Sequence, residues 1–188
     1  MFIEHLEGRR LFSGAAKFAA QLLGADEVPA NVTPAKGSVK FKLSKDGSSM
    51  TYKVSAKKID HVSGAHIHIG PVGQDGEIVV DLINPAGEKV GKHKFSVRGV
   101  ITAANLIGSM AGHTLADLVT QMTAGATFVN VHTDDGVAPP NTGPGDFPGG
   151  EIRGQIRRLG KQPVTSSPGT TPLSNPVTNP MPTPIPGY

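Results

Sequence analysis

The chain contains no cysteine among its 188 residues, which excludes a disulfide framework, thiol catalysis and thiolate metal sites. Imidazole and carboxylate remain as the strong side-chain ligands, so a transition-metal site has to draw on the seven histidines. Charge is sparse too. Only 18% of residues are charged, and 18 Lys and Arg against 15 Asp and Glu leave a net charge of +3. That is a small excess, not a basic patch of the kind that tracks phosphates, and the Arg9-Arg10 and Arg157-Arg158 pairs stand isolated without interleaved aromatics. Nucleic acid is therefore not an expected partner. No window approaches the roughly 18 apolar residues of a helical membrane span, so no transmembrane segment is expected. No Ser–His–Asp order, phosphate-cradling Gly-rich loop or dinucleotide fingerprint falls on a suitable element, and hydrolase, kinase and dehydrogenase readings stop there.

Glycine (24) and proline (16) are abundant, as many short strands joined by punctuated turns require. Phe18, Ala20 and Leu22 alternate along one segment, Val39, Phe41 and Leu43 alternate with lysines, and Met50, Tyr52 and Val54 follow the Lys45-Asp46-Gly47 turn. An Asp-Gly step between two alternating runs marks a hairpin, because the pair accepts the positive φ angles of a tight β-turn. Further strands are expected at Ile59–Ile69, Glu77–Leu82, Lys92–Val100, Ala126–His132 and Glu151–Arg158, about eight in all. One stretch breaks the pattern. Leu115, Leu118, Val119 and Met122 share a helical face, Thr114 with Asp117 resembles a capping box, and Gly125 is placed to end the helix. The expectation is an all-β, two-sheet antiparallel β-sandwich of the immunoglobulin or superoxide dismutase-like Greek-key type, with a short helical crossover near 103–124.

Three regions follow from composition: an arm over 1–16, the β-domain over 17–159, and a Pro/Thr/Ser-rich tail over 160–188. Recurrent proline removes backbone donors and the polar residues of the tail offer nothing to bury, so that segment is expected to stay extended and disordered. Within the arm, Leu6–Gly14 resembles the short leader at the start of many planctomycete surface and exported proteins.

Four motifs carry a wider resemblance: Leu23-Gly-Ala-Asp-Glu-Val-Pro29, Ala65-His-Ile-His-Ile-Gly70, Val129-Asn-Val-His-Thr133 and Gly150-Glu-Ile-Arg-Gly-Gln-Ile156. In that order and spacing the chain resembles the CHRD (chordin-repeat) domain from about Lys17 to Arg158. The resemblance implies a β-sandwich and a secreted or cell-surface setting, and supplies no settled activity. The Ala65–Gly70 strand is also similar to the His-x-His strand of copper/zinc superoxide dismutases, which implies Arg153 as the counterpart of an anion-guiding arginine. The disulfide and the His/Asp zinc loop of that family have no match.

Residues two apart on a strand point to the same side, so His66 and His68 project together, and His132 joins them if its strand is a neighbour. Three imidazoles suit copper, or zinc. Binding through neutral rings predicts an affinity that falls as pH drops through about 6.5. His61, His93 and His113 are read as surface or packing residues, Glu27 as a strand-end turn carboxylate or second partner for a histidine nitrogen, and Glu151 with Arg153 as a cross-strand ion pair or hydrogen-bond set. Asp134, Asp135 and Asp146 read as a solvated loop, since they lack calcium-loop spacing. Two functions stay open: an extracellular metal-binding domain, copper most of all, with or without redox or superoxide chemistry, and a non-catalytic surface module holding a protein or matrix partner.

Overall fold

The computed structural model describes residues 15–83 and 93–160. The leader-like segment, the Pro/Thr/Ser-rich tail and the start of the strand expected at Lys92 lie outside them. The described chain forms nine antiparallel strands: β1 (Lys17–Leu23), β2 (Lys36–Leu43), β3 (Met50–Lys57), β4 (Val62–Ile69), β5 (Glu77–Asp81), β6 (Lys94–Ile101), β7 (Thr127–Thr133), β8 (Ile152–Gln155) and β9 (Arg157–Leu159). One α-helix, α1 (Leu115–Ala124), lies between β6 and β7. Its start and stop are as the residues imply. Thr114 and Asp117 form a reciprocal capping box, and Gly125 ends the helix at φ 71°, a left-handed conformation that costs glycine nothing.

The strands form one hydrogen-bonded path, β5-β4-β7-β8-β1-β2-β3-β6, with β9 also on β1. At the junction of β8 and β1 a single register pair, Leu23 opposite Arg153, joins two four-stranded halves of this path. The halves fold toward each other: the Tyr52 hydroxyl of β3 donates to the Leu82 carbonyl just beyond β5 at 2.7 Å. The core lies between them. From one side come Phe18, Leu22, Val39 and Val54, and from the other Ile67, Val129, Val131 and Ile152, all fully buried.

The two halves differ in what covers their outer faces. β2, β3 and β6 alternate buried and exposed residues, the pattern of a sheet with one wet face. β7 is buried almost throughout. Its outward face and those of β4 and β8 therefore carry polar side chains that have lost solvent, and the functional candidates sit there. The expected Glu151–Arg158 strand is broken at Ile156, whose N–H donates to the Thr127 carbonyl; the chain then leaves β7 and continues as β9 against β1.

Candidate metal centre

Register decides which side chains meet. β4 and β7 pair so that Gly64 lies opposite His132, His66 opposite Asn130 and His68 opposite Phe128. Directly opposed residues share a face, so the three histidines gather on the outer side of this half. Their ring centroids are 4.7 Å apart for His66 and His132, 5.8 Å for His66 and His68, and 6.2 Å for His68 and His132. One ring nitrogen from each lies within 4.8 Å of the other two. A tetrahedral ion with bonds of about 2.0–2.1 Å separates its nitrogens by about 3.4 Å, so the closure required is at most on the order of an ångström. Gly64 makes the space: a Cβ there would stand 2.9 Å from His66 Cε1.

The hydrogen bonds orient the rings. His132 Nδ1 lies 2.7 Å from the Pro148 carbonyl and donates to it, which leaves the Nε2 lone pair free. That nitrogen is buried without a partner, and so is His66 Nδ1, whose ring turns Nε2 toward Asp81 at 3.4 Å. A ring N–H tied to a carbonyl or carboxylate, with the other nitrogen bare, is how ligating histidines are held. His68 differs. Its Nδ1 faces the Gly76 carbonyl and its Nε2 faces Asn130 Oδ1, both at 2.9 Å, and a neutral ring has one proton for two acceptors. Turning the Asn130 amide, or placing a cation at Nε2, relieves the conflict.

Burial and mutual repulsion set the charge state. Desolvation first, then the neighbouring His132 and His68, lower the His66 pKa to about 4. Desolvation likewise lowers His68 and His132, against the pull of their hydrogen bonds to Gly76 and Pro148. All three rings are thus neutral donors at neutral pH. Burial displaces protonation of these rings below the ordinary imidazole range near 6.5.

The family model of the CHRD domain matches residues 18–156, the whole of the described sheet from β1 to Ile156. This chain belongs to the CHRD-domain family. No curated protein and no solved structure matches it.

In this CHRD domain the last motif, on β8, ties down the loop beside the centre. Arg153 is only 2% exposed. Its guanidinium lies 3.4 Å over the Phe128 ring, and its Nη2 donates to the Gln74 carbonyl at 2.6 Å and the Pro71 carbonyl at 3.4 Å. It fastens the loop after β4 down onto the sheet instead of facing solvent as an anion guide would. Gln155 helps, donating to the Gly70 carbonyl at 2.9 Å. Glu151 and Arg153 each enter the cross-strand hydrogen-bond or ion-pair role expected of them, with separate partners: the carboxylate of Glu151 accepts from Thr33, Thr133 and the Gly145 N–H, while the cationic end of Arg153 meets Asp75 at 3.7 Å. The two groups part because they reach toward different loops.

Glu27 is buried behind the same layer. Its Oε1 has no partner and, like Asn130 Nδ2, crowds the position a Cβ of Gly150 would take. Desolvation pushes its pKa up to about 8, although Arg153 pulls it down. His61, His93 and His113 stay out of the cluster: His93 pairs with Asp60 at 2.7 Å and His113 with Asp117 at 3.5 Å. Asp134, Asp135 and Asp146 are brought closer than their spacing implied, with one carboxylate oxygen of each within 4.8 Å of the others. Asn130 shares the face of His132 by strand alternation alone, whereas Gly64 and the Pro148 and Gly76 carbonyls carry no such signal in the sequence. The β4–β7 register places Gly64 opposite His132, and the course of the loops brings the two carbonyls in.

Proposed function

We propose that this CHRD domain binds one copper ion, or a zinc ion, through His66, His68 and His132, and that it works outside the cytoplasm as a secreted or surface-held module. The observation that carries the reading is the pair of buried, unpartnered nitrogens, His66 Nδ1 and His132 Nε2, on rings that with His68 each bring one nitrogen within 4.8 Å of the other two. An unpaired buried acceptor is costly, and a cation shared among neutral imidazoles offsets that cost. Bound copper would supply one-electron redox exchange and zinc a Lewis acid. The chain's own part is to keep three rings neutral, to fix two of them through the Pro148 and Gly76 carbonyls, and to hold loops over them with Arg153 and Glu151. The same reading takes the two four-stranded halves as the layers of a sandwich, with the centre on the outside of one. It is a reading of binding: superoxide turnover needs an anion route, and Arg153 is turned under its loop. The extracytoplasmic setting is supported by the family and by the leader-like Leu6–Gly14 segment.

Titration of the metal-free protein with copper(II) and zinc(II) at pH 7 tests this. One equivalent should bind, and His66→Ala, His68→Ala or His132→Ala should each weaken it at least about 100-fold, whereas His93→Ala should leave it unchanged. A second reading, a hydrogen-bonded histidine layer inside a non-catalytic interaction module, is favoured by His68, whose two nitrogens already face oxygens. Equal affinity in wild type and all three variants would establish that reading and remove the first.

A further inference from the structure

The other half of the sheet presents a surface whose charge is hidden in the sequence. Lys40, Lys53 and Arg98 stand directly opposite one another across β2, β3 and β6, and all three are exposed. Four residues along, Lys36, Lys57 and Lys94 form a second row in the same register, also exposed. Lys17, Lys42 and Arg157 extend the same face onto β1 and β9. None of the five strands carries an Asp or Glu, and among the described residues none of these cations forms an ion pair. Nine of the chain's 18 basic residues thus collect on one wall.

Like charges directly opposed across a sheet destabilise it, and here two complete three-strand rows do so. An anionic partner laid along the rows would neutralise that repulsion. The shape is that of a trough. Two depressions of about 610 and 660 Å³ lie along the face and share Lys53. Between the cation rows, separated by about 13 Å at strand rise, runs a row of hydroxyls from Ser38, Ser55 and Ser96, the last two 3.2 Å apart.

We infer that this trough binds an acidic polysaccharide, a chain of hydroxyl-rich sugars carrying carboxylate or sulfate groups. The cation rows match a polymer with charges at intervals, and the serine row supplies donors and acceptors for sugar hydroxyls between them. A nucleic acid fits less well. The aromatics of these strands, such as Phe41 and Tyr52, turn inward, so no ring is offered for base stacking. This inference stands on the strand register alone and is independent of the metal centre on the other half.

The test uses the full chain with sodium polygalacturonate as probe, neutral dextran as control, and a single-stranded DNA 20-mer as competitor class. Wild type should bind polygalacturonate at 50 mM NaCl, lose at least tenfold in affinity by 200 mM, and ignore dextran. The triple variant K40Q/K53Q/R98Q should bind at least tenfold more weakly while unfolding at the same or a higher temperature, because the opposed charges are gone. That opposite movement separates lost binding from lost fold. Equal binding by the variant, no binding by wild type, or tighter binding of DNA than of polygalacturonate would overturn the proposal.

Discussion

Replacing Glu151 by Ala should cost the fold on the order of 4 kcal/mol and lower its unfolding midpoint by about 10 °C. Glu151 is fully buried, and its carboxylate ties three separated segments together: the Thr33 hydroxyl from the β1–β2 connection, the Thr133 hydroxyl at 2.8 Å from the end of β7, and the Gly145 N–H at 3.0 Å from the loop that covers the histidines. Removing it leaves two hydroxyls and one backbone donor facing a void, and the penalty of buried unpaired groups exceeds the worth of the bonds themselves. Glu151→Gln keeps one acceptor oxygen and should cost roughly half as much. Thermal unfolding of the three proteins at pH 7 measures this, and a loss below about 1 kcal/mol in the Ala variant would show that the loop does not hang on this carboxylate.

Glu27→Gln should do the opposite, stabilising the domain by on the order of 3 kcal/mol at pH 9 and leaving it unchanged below pH 4.5. Burial holds the folded carboxyl at a pKa of about 8, against 4.5 in the unfolded chain. Between those values the folded state keeps a proton that the unfolded state releases, so wild-type stability falls as pH rises from about 4.5 through about 8. Glutamine has no proton to lose. The histidines act with the other sign. With folded pKa values below the unfolded 6.5, and His66 at about 4, the unfolded state binds more protons, and stability falls as pH drops from about 6.5 toward 4. Unfolding midpoints of both proteins from pH 4 to 9 check the two limbs, and superimposable curves would contradict the placement of Glu27 as a desolvated acid.

What could be read from the sequence was local. Alternation along Val39, Phe41 and Leu43, the Asp46-Gly47 hairpin and the Thr114/Asp117 cap depend on neighbours within a few residues, and the structure repeats them. The His66-x-His68 pair is equally local, whereas His132 joins it only through the pairing of β4 with β7. What escaped depends on register between distant strands. The lysines of β2, β3 and β6 form no run along the chain, yet pairing stacks Lys40 on Lys53 and Arg98. The sparse net charge concealed a strongly one-sided surface. Glu151 and Arg153 share a strand face at i, i+2, but their partners, Thr33, Thr133 and Gly145 for one and Pro71, Gln74 and Asp75 for the other, come mostly from loops whose course no spacing encodes. The need for Gly64 shows only once His66 turns its ring back over it.

X-ray absorption of the copper- or zinc-loaded full chain at pH 7 addresses the metal centre most directly, because the scattering of imidazole rings identifies ligands that a binding curve cannot. The account predicts three imidazole nitrogens at about 2.0 Å, and two in each of His66→Ala, His68→Ala and His132→Ala. A metal held by oxygen ligands alone, or an imidazole count unchanged by those substitutions, would contradict it.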